Sequence, residues 1–271
     1  MRYSEFKRYI TEGGNIFKDE NGEIQTRSIT KSDIEPTIRW LEKISNLPLV
    51  DNTLGSVGKK EHSGDLDIAV DENVISKDEL VSHLIKWAKD QKLPDDQIIN
   101  KRPFKGGWLD KSGISVHFKT PIRGDASNGY AQTDFMFTDD IAWMKFSMFS
   151  AGDDSRYSGA DRNLLMSSIA KSLPGDFKYS WQKGLIARST GETISKDPDQ
   201  IAAVLLGKGY KQGDLESVET IMGALSKDKT RLTQLKNSAA KLRDIEGKKT
   251  GEAKADAEEA NRIELALKAA S

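Results

Sequence analysis

The chain has no cysteine in its 271 residues. Disulfides and thiolate metal sites are therefore excluded, and a reducing, cytoplasmic-type compartment is favoured. Net charge is nearly absent as well, since 41 basic residues against 42 acidic ones leave −1. No global field attracts nucleic acid, so any such contact must come from a local patch. Long apolar runs are missing: no stretch approaches the ~18 residues that cross a bilayer, so no membrane partner is expected. The opening MRYSEFKRYI is charged where a signal peptide would be apolar. What is present is 37% hydrophobic content, enough for a core in one large or two small domains.

Periodicity divides the rest. Tyr3, Phe6 and Ile10 can form one side of a short helix, but residues 1–30 are otherwise weakly patterned. A helix is expected over 32–47, with a Ser32/Glu35 capping box, Pro36 in the first turn, and Ile34, Ile38, Leu41 and Ile44 on one face. Ser76 and Glu79 cap a second helix over 76–90. GISVHFK alternates as a strand, RGDASNG reads as a hairpin turn, and YAQTDFMF as the returning strand. Helical sequence follows over about 139–172. GLIAR and GETI suggest a small hairpin, followed by a helix with Asp197 as cap, Pro198 first and Gly207 as stop. Another helix is expected over 214–225, then a charged, alanine-rich helical tail over 226–271. That tail is read as a solvated helix, an oligomer contact or a docking site for a protein partner.

The chemistry concentrates in LGSVGKKEHSGDLDIAV, residues 54–70. Side chains two apart in a strand share a face, so Asp65 and Asp67 project together, about 7 Å apart along the strand. Leu66, Ile68 and Val70 face the other way, toward a core. Two carboxylates held this close raise each other's pKa unless a cation lies between them. Magnesium fits, because it takes a few carboxylates and completes its shell with water and phosphate oxygens. The plain alternative is a polar edge strand with solvated aspartates. Upstream, the Gly55-Ser56 turn offers backbone N–H groups and a hydroxyl to a phosphate, and Lys59 and Lys60 can neutralise it. Lys60 reads equally as a solvated loop lysine. Residues 101–123 carry Lys101, Arg102, Lys105, Lys111, Lys119 and Arg123 with Phe104 and Trp108 interleaved. That segment is either a nucleic-acid track with stacking rings or a solvated loop whose rings pack on the core. His62, His83 and His117 show no ligand spacing, and no chemistry is assigned to them.

Gly-Ser, a spacer and SGDLDIAV resemble the signature of the DNA polymerase beta-type nucleotidyltransferases, most closely their family X DNA polymerases. In QTDFMF, Asp134 matches the family's third aspartate. RYSGADRNLLMSSIA is similar to the helix start that contacts the incoming nucleotide, and GLIARSTGETISKDPDQIAAVLLGKGY to the thumb. The resemblance spans roughly 50–210. It implies an α+β fold, with a nucleotidyltransferase palm made of a mixed sheet and helices on one face. A small α/β thumb and a helical tail follow. The implied divisions are an N-terminal helical segment over 1–48, a palm over 49–174, a thumb over 175–225 and the tail over 226–271. It further implies two magnesium ions, with manganese as substitute, on Asp65, Asp67 and Asp134. Asp134 would also draw the proton from the attacking hydroxyl. Gly55, Ser56, Lys59, Lys60, Ser63, Gly64, Tyr157, Gly159, Arg162 and Asn163 would contact a nucleoside triphosphate. Arg162 reads equally as a helix-surface arginine. Lys101, Arg102, Lys105, Lys119 and Arg123 would contact nucleic acid. The expected activity is nucleotidyl transfer to a hydroxyl, most simply a nucleic-acid 3′ end. The alternative is a non-catalytic structural or assembly protein of a virus particle that keeps the fold. EGGNIFK points toward a bacteriophage protein, located in the host cytoplasm or the virion.

Overall fold

The computed structural model describes residues 16–19, 21–99 and 107–244. The expected helix at the N-terminus, the basic residues Lys101, Arg102 and Lys105, and the tail beyond 244 lie outside the described residues. The chain forms two compact units that divide between Lys145 and Phe146. That division falls earlier than the 174/175 boundary read from the sequence.

In the first unit, β1 (Ile29–Thr30) pairs antiparallel with β2 (His62–Ser63). Helix α1 (Lys31–Ser45) follows and buries Ile34, Thr37, Ile38, Leu41 and Ser45, a stripe at helical spacing. Its N-cap is Thr30, not Ser32. Pairing with β2 keeps the chain extended through Thr30, so the helix starts at Lys31, and the Thr30 hydroxyl donates to Asp33 Oδ2 at 2.7 Å. Glu35 is then free to pair with Arg39 at 2.6 Å, and Pro36 sits beyond the first turn. Strand β3 (Leu66–Asp71) leads to α2 (Lys77–Asp90), whose Ser76/Glu79 capping box is present as expected. After a one-turn helix α3 (Asp95–Ile98) come β4 (Leu109–Ser112), β5 (Ser115–Pro121) and β6 (Tyr130–Thr138).

These strands form one mixed sheet in the order β3-β6-β5-β4, with β3 parallel to β6 and the other pairs antiparallel. Leu66, Ile68, Val70, Val116, Phe118, Phe135 and Phe137 are buried in one cluster with Ile38 and Leu41 of α1 and Leu80 and Leu84 of α2. Each such side chain contributes about 1.5–3 kcal/mol relative to exposure. The molecule is thus α+β with a mixed sheet whose apolar face packs against helices.

Helix α4 (Ile141–Ser147) carries the chain across the division. The second unit continues with α5 (Gly159–Ser172), the antiparallel β7 (Phe177–Ser180), β8 (Gly184–Ala187) and β9 (Thr193–Ser195), and then α6 (Pro198–Leu205). Helices α7 (Val218–Ser226) and α8 (Lys229–Asp244) complete it. The helical run expected over 139–172 is broken between α4 and α5, where Gly152 takes φ +66° in a 3-10 turn. The helix expected from 214 begins at Val218, because the Ser217 hydroxyl caps the Thr220 N–H. Among the described residues no helix is long and apolar enough to cross a membrane.

Candidate functional site

Alternation along β3 dictates the starting geometry. Leu66, Ile68 and Val70 enter the core, so Asp67 and the preceding Asp65 emerge on the opposite face. The parallel register sets Asp67 beside Asp134 of β6. As a result Asp65, Asp67 and Asp134 bring one carboxylate oxygen each to within 4.8 Å of one another. Three carboxylate oxygens brought this close could hold a metal ion, for which they are hard donors.

The electrostatics agree. Burial, and then the Asp134 carboxylate, push Asp65 up to about 6. Burial, then Asp65 and Asp134, push Asp67 well above the usual carboxylate range. Asp67 keeps a sliver of surface, yet it lies within a dense shell of protein atoms. Without a cation, these carboxylates oppose one another.

Asp134 is the most firmly held of the three. His117 on β5 is its direct cross-strand neighbour, and His117 Nδ1 lies 2.8 Å from Asp134 Oδ1. A carboxylate only accepts, so that ring nitrogen carries the proton. The Gln132 amide, fully buried and two residues earlier on the same face, donates to Oδ1 at 2.9 Å and to Oδ2 at 3.2 Å. Its own carbonyl oxygen accepts the Ile16 N–H at 3.2 Å, which fixes which end of the amide faces Asp134. Neither His117 nor Gln132 was assigned a role from the sequence. The available signal was alternation: His117 lies on the polar side of β5, and Gln132 shares a face with Asp134.

The Gly55-Ser56 turn runs alongside β3. Leu54 N–H donates to the Asp67 carbonyl at 2.9 Å, and Thr53 bridges to Ile68. Gly55 and Gly58 hold φ +62° and +73°, a left-handed conformation that glycine adopts without strain. Ser63 is buried and its hydroxyl accepts the Gly58 N–H at 3.3 Å, so it closes the turn. Ser56 is partly exposed, and Lys59, Lys60 and Gly64 are exposed.

Other expected contacts are placed differently. Arg123 is not on the carboxylate face. Its guanidinium pairs with Asp33 of α1 at 2.5 Å, and its N–H donates to the Thr37 hydroxyl, which ties the β5–β6 turn to that helix. In the second unit, Arg162 is 1% exposed and donates to the carbonyls of Phe146 and Leu215. Asn163 donates to the Ser147 carbonyl at 2.7 Å and accepts from the Tyr179 hydroxyl at 3.2 Å. Both are staples within that unit, which corrects their reading as nucleotide contacts and that of Arg162 as a helix-surface residue. The cause is the α5 face they occupy, which is packed rather than open. Gly159 is required by packing too, since a Cβ there would lie 2.6 Å from the Phe149 carbonyl oxygen. Tyr157 is partly exposed beside a small cleft it lines with Ser150, Ser155 and Ser217.

No protein-family model, curated protein or solved structure matches this chain.

Proposed function

We propose that the chain is a magnesium-dependent nucleotidyltransferase that moves a nucleoside monophosphate from a nucleoside triphosphate to a hydroxyl, a nucleic-acid 3′ end. The observation that carries this reading is the convergence of Asp65, Asp67 and Asp134 on one sheet face. The resemblance of residues 54–70 to the DNA polymerase beta-type nucleotidyltransferases supports it, as does the Gly-Ser turn beside β3. On this reading the first unit is the palm, and the hairpin and helices after it are the thumb.

Asp65, Asp67 and Asp134 would hold the magnesium ions, which would neutralise charge on the triphosphate and acidify the acceptor hydroxyl. Ser56 and Lys59 bind the terminal phosphates. His117 holds Asp134 at Oδ1 and the Gln132 amide holds both of its oxygens, so the carboxylate is oriented to take the proton of the acceptor hydroxyl. The hydroxyl oxygen then bonds to the α-phosphorus as the bond to pyrophosphate breaks.

The test is calorimetric titration of the full chain with magnesium and each nucleoside triphosphate, for wild type and Asp65→Ala/Asp67→Ala. Metal-dependent binding in the wild type, lost in the double variant, is expected. A folded wild type that binds no triphosphate would sink the enzyme reading and favour a structural role in an assembly.

A further inference from the structure

Lys119 raises a separate question. It stands on β5 directly opposite Gln132, so it shares the sheet face of Asp134. Diagonal neighbours of this kind are about 7–8 Å apart at their Cα atoms. Its side chain is half-buried, and its ammonium makes no hydrogen bond or ion pair among the described residues. Instead Nζ lies 4.4 Å from the centre of the Trp108 ring and 5.2 Å from that of Tyr130. The two rings meet edge to face at 5.1 Å, so the ammonium lies in the corner they form. Trp108 is braced from behind by Trp87. Burial pushes the Lys119 pKa down, and among the described residues no carboxylate counters it. A cation desolvated by ring faces and lacking an anion is matched to an anion supplied from outside.

The strand order says which anion. The Gly-Ser turn lies along β3, at one edge of the sheet, while Lys119 is on β5, with β6 and Asp134 between them. A triphosphate seated on that turn and on the carboxylates extends away from Lys119. A strand whose terminal hydroxyl reaches Asp134 from the β5 side runs its backbone past His117 and Lys119, which are less covered than the buried Gln132.

We propose that Lys119, held against Trp108 and Tyr130, anchors a backbone phosphate of the acceptor strand just behind its reacting 3′ hydroxyl. The proposal rests on the nucleotidyl-transfer reading for its direction, but the phosphate contact can be measured without it. Trp108 and Tyr130 act as positioning residues, since their ring faces are already turned to the ammonium.

The experiment uses the full chain and a fluorescein-labelled oligothymidylate with a free 3′ hydroxyl. Anisotropy is read across a salt series in EDTA for wild type, Lys119→Met, Lys119→Gln and Lys119→Arg. Magnesium–dATP titration is run in parallel. Removing the charge is expected to weaken oligonucleotide binding about tenfold and make the salt slope shallower by about one phosphate. Lys119→Arg should restore most of the affinity, and magnesium–dATP affinity should be unchanged in all variants. Gln is the second neutral variant in case Met disturbs the packing of the two rings. A wild type that ignores the oligonucleotide, or neutral variants that match the wild type in affinity and slope, would overturn the proposal. So would neutral variants that lose dATP rather than the oligonucleotide, which would assign Lys119 to the donor. Lys119-dependent oligonucleotide binding with no triphosphate binding would support the anchor while removing the transfer reading.

Discussion

A carboxylate in a strand next to a core is destabilising unless something compensates it, and Asp67 has two others beside it. The folded state therefore favours protonation: Asp65 titrates near 6, against about 3.9 in an unfolded chain. Stability from these groups is full below about pH 4 and is lost as pH rises through 6. At about pH 8 in EDTA, Asp67→Asn should therefore melt higher than wild type. Magnesium should raise the wild-type melting temperature at that pH and leave the variant nearly unmoved. An Asp67→Asn protein that melts below wild type in EDTA would show that the carboxylates are compensated without a cation. His117 and Gln132 give a second prediction at this scale. Groups that orient a metal ligand typically change affinity by about 10–100-fold when removed. His117→Ala and Gln132→Ala should each weaken magnesium binding within that range by calorimetry. Unchanged affinity would mean that packing alone holds Asp134.

At the scale of elements, period-two alternation decided what the sequence could reveal. Asp65 and Asp67 were legible because Leu66, Ile68 and Val70 fix the register of β3, and a slip by one residue would bury the carboxylates. β4 was hidden because, of its four residues, only Leu109 is buried. Arg162 was misread because helix periodicity does not say which face of α5 meets another element, and this arginine points inward. The α1 start was missed because a two-residue pairing between β1 and β2, distant in sequence, outweighs the local capping pattern. Packing sets two contrasting predictions for glycine. Gly159→Ala places a methyl 2.6 Å from a backbone oxygen that cannot easily move, so it should destabilise. Gly223→Ala, inside α7 with nothing within 4 Å, should stabilise by about 0.5–1 kcal/mol. Chemical denaturation of the two variants checks both, and a stabilising Gly159→Ala would show that the start of α5 shifts to make room.

For the whole molecule, the relevant fact is that each unit has its own interior. The first buries Leu66, Ile68, Phe118 and Phe135 together with its helices. The second buries Leu165, Ile169, Leu185, Ile201, Ile221 and Leu225. The three carboxylates belong entirely to the first unit. A ligand that binds only the folded form stabilises what must unfold to release it, by about 2.7 kcal/mol at a hundred times its dissociation constant. At that magnesium concentration, amides of β3 and β6 that exchange by unfolding of the first unit should slow about a hundredfold. If the units unfold separately, amides of β7 and β8 should keep their rates. Hydrogen exchange followed by mass spectrometry distinguishes the outcomes. Slowing in both units to the same extent would mean that they unfold as one cooperative block, so a cation on Asp65, Asp67 and Asp134 stabilises the whole chain. No slowing in either would leave three converging carboxylates without a cation at that concentration, and the proposed chemistry would lose its support.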